Sequence, residues 1–170
     1  MIEQHYLDDS LFQLRKLKTQ ADRAMAQVDD SQFLALLDAD ANSIALIVKH
    51  ISGNMRSRWT DFLTSDGEKP DRDRDAEFEL DGADTREAIL AQWEAGWELL
   101  FKTIAALGPD DLGRTVTIRA EPHTVVQAIN RQTSHYSAHV GQIVLLAKHF
   151  AGTKWRTLSI PKKKNGRRTG

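Results

Sequence analysis

The sequence predicts an all-α protein, a four-helix bundle with crossover connections, on three observations. Four segments carry apolar residues at helical spacing, each about 20–27 residues long. Only residues 116–119 alternate with the period of a strand, and weakly. Two connections, residues 31–41 and 64–83, are long enough to cross the bundle rather than join antiparallel neighbours.

The first helix is expected over residues 3–29. Leu7, Leu11, Leu14, Ala21, Met25 and Val28 fall on one stripe, and Asp29, Asp30 and Ser31 then break it. The second starts at Asn42 or Ser43, both good caps, and runs through Ile47, Ile51, Met55 and Trp59 to about residue 63. Gly53 sits inside it, where glycine costs about 1 kcal/mol against alanine. A helix bears that cost where another group must approach its backbone closely. The third opens on a capping box of Asp84 and Glu87 and carries Ile89, Trp93, Trp97, Leu100 and Ile104. Gly108 and Pro109 are expected to end it through a left-handed cap. The fourth opens on Thr124 with Gln127, runs through Ile129, Tyr136, Val140 and Ile143 to about residue 150, and closes at Ala151-Gly152.

Composition bounds what such a protein does. At 170 residues, 41% hydrophobic and 28% charged, the chain makes one domain, residues 1–160, followed by a flexible basic tail, residues 161–170. The tail PKKKNGRRTG holds five cations, which leaves residues 1–160 with 18 cations against 24 anions, a net of −6. A generally basic nucleic-acid binder is not indicated. The tail is read as a solubilising end, with contact to nucleic acid as its sharper alternative. Cysteine is absent, which excludes disulfides, thiolate metal sites and a cysteine nucleophile. The start, MIEQHYLDDS, lacks signal-peptide features and no apolar run approaches membrane-spanning length, so a cytoplasmic protein is expected.

Chemistry then falls to histidines and carboxylates. His135 and His139 are four apart on the fourth helix. Their imidazoles point the same way, about 40° and roughly 6 Å apart, and can reach one ion. His50 borders the apolar face of the second helix. Taken alone, a histidine there reads as a core residue holding one hydrogen bond, and a histidine pair at this spacing is a weak signal. Three neutral imidazoles without a carboxylate would suit Zn²⁺, Ni²⁺ or another late first-row divalent ion. His5, His123 and His149 fall outside this group.

The strings around these histidines are more specific. Residues 42–70, NSIALIVKHISGNMRSRWTDFLTSDGEKP, and residues 134–160, SHYSAHVGQIVLLAKHFAGTKWRTLSI, resemble the DinB/YfiT-like superfamily and, more narrowly, its DUF1572 branch. The resemblance covers nearly the whole chain. It implies a four-helix bundle with crossover topology, a homodimer, and a metal triad at His50, His135 and His139 that holds zinc or nickel. Characterised relatives in that superfamily include thiol-S-transferases that use bacillithiol or mycothiol, and a thiol-dependent maleylpyruvate isomerase. What transfers is the metal scaffold; the substrate does not.

Two functions follow as expectations. In the first, the ion activates a low-molecular-weight thiol or a water for attack on a small electrophilic substrate, which makes the protein a transferase or hydrolase. Asn54, one turn beyond His50, would orient substrate or a ligand, or would simply be a polar residue between helices. Arg56 and Arg58 would attract an anionic substrate, or would be solvated surface arginines. No side chain reads as a general base. In the second, the ion pins two helices of a non-catalytic, stress-associated dimer. Neither membrane nor nucleic acid is an expected partner.

Overall fold

Each apolar period forms a helix, and the first three stop a little earlier than their periods suggest. The computed structural model describes residues 1–160. Helix α1 spans Ile2–Met25, α3 Ile44–Trp59, α4 Arg86–Ala105 and α5 Val125–Ala151. A short helix, α2 (Asp30–Leu34), lies in the first long connection. The basic tail, and any nucleic-acid contact it would make, lies outside the described residues.

The early stops have local causes. Helix α1 was expected to reach residue 29, but Arg86 donates to the carbonyls of Met25 (2.8 Å) and Val28 (2.8 Å) and captures the chain as it leaves the helix. Asp29 then caps α2 rather than merely breaking α1: it accepts from the Gln32 backbone, and the Gln32 side chain accepts from the Asp29 backbone in return. Ser43 caps α3, accepting from Leu46 N at 3.2 Å. The expected capping box of Asp84 and Glu87 does not form. Thr85 is the cap of α4, and Asp84 is drawn off into an ion pair with Lys49 at 2.7 Å. Gly108 has φ −102, so the third helix does not end in a left-handed cap there; its C-cap, Ala106, keeps right-handed geometry. Thr124 and Gln127 form the expected box at the start of α5, and Gly152 ends it with φ 54.

Helix α3 packs on α4 and on α5, and α1 packs on α5 and α4. Leu14, Ile51, Ile89, Leu100, Ile129 and Ile143 are fully buried among them. Each such side chain contributes roughly 1.5–3 kcal/mol relative to exposure. Trp59, Trp93 and Trp97 fill the middle. Gly96 lets α4 come close to α3, since a Cβ there would sit 3.2 Å from Met55.

The chain is mostly helical, with one addition. Strands β1 (Thr115–Ile118) and β2 (Glu121–Thr124) form an antiparallel hairpin in which Thr115 faces Thr124 and Ile118 faces Glu121. Its two-residue turn, Arg119-Ala120, has both residues left-handed, with φ 56 and 62. Turns of that kind normally use Asn or Gly. Here the Asp66 carboxylate accepts from both backbone N–H groups, at 2.9 and 2.8 Å, and holds the turn. No described helix is long and apolar enough to cross a membrane.

Candidate metal centre

On α5 the buried stripe includes Tyr136 and Val140. His135 and His139 each precede one of these, so they lie at the edge of the stripe, half-buried, on the side facing α3. On α3 nearly every position is buried, and His50 points from its centre toward the same spot. The structure therefore brings the three sequence-singled histidines together. His50 Nε2 lies 3.3 Å from His135 Nε2, and His135 Nε2 lies 3.1 Å from His139 Nε2. The three donor nitrogens are all within 4.8 Å of one another.

The opposite side of two of these rings is held. His50 Nδ1 donates to Glu77 Oε2 at 2.8 Å, and His139 Nδ1 donates to Gln142 Oε1 at 2.8 Å. In the tautomers that place those protons on Nδ1, the Nε2 atoms of His50 and His139 carry lone pairs. His135 Nε2 holds one proton at most and can satisfy only one of them. Two bare nitrogens and a third thus face one point, which is the donor set of a cation site. A tetrahedral ion with bonds of about 2.0–2.1 Å places its nitrogens about 3.3 Å apart, close to both separations. The residues present therefore fit a divalent ion.

The electrostatics agree. Burial, reinforced by the neighbouring His139 and His50, pushes His135 down to about 4. Burial also lowers His139, against the opposing hydrogen bond of Gln142. Both rings are neutral at pH 7, as ligands must be. Burial pushes the Glu77 carboxyl up, but hydrogen bonds from His50 and Arg72 outweigh it and hold it below the usual carboxylate range.

Glu77 was not singled out in the sequence, where its segment read as a long crossover connection. Residues 64–83 have no apolar period, yet they fold back over α3. A 3-10 turn at Ala76–Phe78 delivers Glu77 to His50 and stacks Phe78 on the His50 ring, centroids 4.7 Å apart. Arg72 clamps Glu77 with two bonds, Nε–Oε1 at 2.7 Å and Nη2–Oε2 at 2.8 Å. It also reaches Glu68, which Arg58 and Arg119 share. Gly53 was the available signal: a Cβ there would stand 2.7 Å from the Glu77 carboxyl carbon. The group that must approach the helix is this side chain.

Asn54 is buried and its Oδ1 accepts from Tyr136 Oη at 3.0 Å, while Tyr136 Oη accepts from Trp59 Nε1 at 3.0 Å. It thus ties α3 to α5 one residue from His135, and it also lines a cavity beside the triad. Arg58 is buried, its guanidinium on Glu68 and the Gly67 carbonyl. Arg56 is exposed and meets Asp71 at 3.3 Å.

Fold and site together define a mostly helical protein with a candidate three-histidine metal centre between two helices. The family model described as "Protein of unknown function (DUF1572)" matches residues 1–164, and the chain belongs to that family. A search of curated proteins returns no match.

Proposed function

We propose that this chain is a divalent-metal-dependent enzyme built on the four-helix bundle of the DinB/YfiT-like superfamily. His50, His135 and His139 are its metal ligands, with Zn²⁺ or Ni²⁺ as the ion. The observation that carries the reading is the convergence of three Nε2 atoms, two of them on rings whose Nδ1 is already bonded to Glu77 or Gln142. When bound, such an ion supplies the Lewis acidity that makes a water or a small thiol an anionic nucleophile near neutral pH. Glu77 fixes the tautomer and orientation of His50, and Arg72 fixes Glu77. Gln142 does the same for His139. Phe78 covers the His50 ring and keeps water from that side.

A catalytic role is favoured over a purely structural pin by the cavity of about 220 Å³ that reaches His50 and His135. A closed structural site has four protein ligands and no adjoining space. The homodimer belongs to the same proposal. Phe12 on α1 and Leu145 on α5 are 57% and 63% exposed, on packed helices, and are available to a second copy.

The test is metal content. Purified protein should carry about one divalent ion per chain, and His135→Ala should lose it. Equal metal in both removes the site. Chelation should leave the helical circular-dichroism signal in place while abolishing turnover in a screen of small thiols against electrophilic acceptors. Unfolding on chelation would instead favour the structural pin.

A further inference from the structure

Residues 1–160 are net acidic, yet the cavity beside the triad is lined by five arginines and no carboxylate: Arg58, Arg72, Arg74, Arg119 and Arg131. His50 and His135 also line it, so a molecule in it adjoins two of the three histidines.

These arginines are not neutralised by their surroundings. Glu68 alone serves three of them, at 3.0 Å from Arg58, 3.1 Å from Arg72 and 2.9 Å from Arg119. Glu77 is shared between Arg72 and His50. Arg74 has only Asp75, at 3.8 Å. Arg131 has only the His123 imidazole, at 3.2 Å. Five guanidiniums thus share three carboxylates, and one of those is committed to the triad.

The placement is also built. Arg58 and Arg72 are held with side chains only 5% and 3% exposed. Among the described residues, Arg58 Nε and Gln132 Oε1, both from cavity-lining side chains, are buried without a hydrogen-bond partner. Arg119 reaches the cavity from a left-handed backbone position, φ 56, where a side chain is disfavoured by about 1–2 kcal/mol. Strain of this kind persists where the surroundings enforce it, and it concentrates at binding sites. Asp66 enforces it here. A volume of about 220 Å³ is below the roughly 300–1,000 Å³ of drug-sized pockets, which suits a small metabolite.

We infer that this cavity binds the oxyanion group of a small molecule, a carboxylate or a phosphate, and sets its reactive end against His50 and His135. In naming the substrate as an anion it rests on the metal-site reading; the binding itself rests on the arginines alone. Planar guanidiniums recognise both groups through paired N–H donors.

The test is titration calorimetry of the full chain at low ionic strength, with inorganic phosphate and with malonate as probes. It is run on metal-free and zinc-loaded protein. Wild type should bind at least one probe saturably, and the preferred probe assigns phosphate or carboxylate. Arg119→Gln with Arg131→Gln removes two exposed cations and should weaken binding at least tenfold with thermal unfolding unchanged. Arg15→Gln with Lys16→Gln removes the same charge elsewhere and should leave binding intact. His135→Ala should keep the anion while losing the ion. Absence of saturable binding to wild type overturns the inference, as does undiminished binding in the cavity variant or equal loss in the remote one. Failure of the anion arm with metal still bound leaves the metal reading standing. The converse, anion binding without any metal, removes the metal reading alone.

Discussion

The connections from α1 to α3 and from α3 to α4 are both long, and only the second contributes to the site. The first turns once through α2, buries Phe33, and leaves Leu34, Leu36 and Leu37 38%, 47% and 45% exposed. Its side-chain bonds are partly local, as between Asp29 and Gln32, and partly to distant segments, as from Arg86 to Val28 and from Gln32 to the Phe150 carbonyl. The second places Phe62 in the core, but its polar groups are also sealed: Glu77 is buried and Arg72 is held on Glu77 and Glu68. The difference lies in the helix face beneath. Helix α3 presents Lys49, His50, Ser57 and Arg58 to the second connection, and each finds a partner in it: the Glu79 carbonyl, Glu77, the Gly67 carbonyl and Glu68. Both connections bury one aromatic, Phe33 or Phe62, and what brings the second onto the site is this set of matched polar groups.

The strongest way to break that contrast is Glu77→Ala. It strips His50 of its partner and leaves Arg72 buried with half its pairing. Removing one member of a buried pair costs about 3–5 kcal/mol. Loss of an orienting carboxylate typically lowers metal affinity by about 10–100-fold. Urea unfolding and a chelator competition should register both; wild-type values in either would mean the carboxylate is not holding the ring.

Gly53→Ala comes next. By helix propensity alone it should stabilise by about 1 kcal/mol. Because the new methyl meets the Glu77 carboxyl, a net loss of about 1–3 kcal/mol is expected. Stabilisation in the melting curve would show that Glu77 yields freely.

Acid should loosen the hairpin end of the second connection. Burial raises the Asp66 carboxyl, but backbone N–H groups of Glu68, Ala120 and Arg119 together outweigh it and hold it below the usual range. A folded value below the unfolded one of about 3.9 gives stability that is complete above that pH and lost as pH falls beneath it. Amide exchange at Arg119 and Ala120 should accelerate below about pH 4; unchanged protection there would show that Asp66 does not hold the turn. The smallest effect is expected in the first connection, where Leu36→Ser should change unfolding free energy by no more than about 0.5 kcal/mol.

Much of this was legible from periodicity. The four long helices follow from apolar spacing, and Ser43 and the Thr124–Gln127 box cap α3 and α5 as read. His135 and His139 share a face because four residues nearly complete a turn. That His50 meets them was not available from spacing, since it depends on how α3 lies against α5; the resemblance supplied it. Glu77 was hidden because a polar segment without a period has no readable inward face. Asp84 looked like a cap, and no local rule says that Lys49 from another helix will claim it. The arginine cavity was hidden for the same reason: its five members come from four separated stretches, and spacing along the chain points only to Arg58.

The chain of hydrogen bonds from Trp59 through Tyr136 to Asn54 has a practical side. Tyr136 adjoins His135 in the chain, their ring centres 5.6 Å apart, and the indole of Trp59 is bonded directly to its hydroxyl. Two chromophores native to the protein thus stand beside the imidazole cluster, shielded from solvent. Near-ultraviolet absorption and emission would register a change at that cluster with no dye, label or added tag.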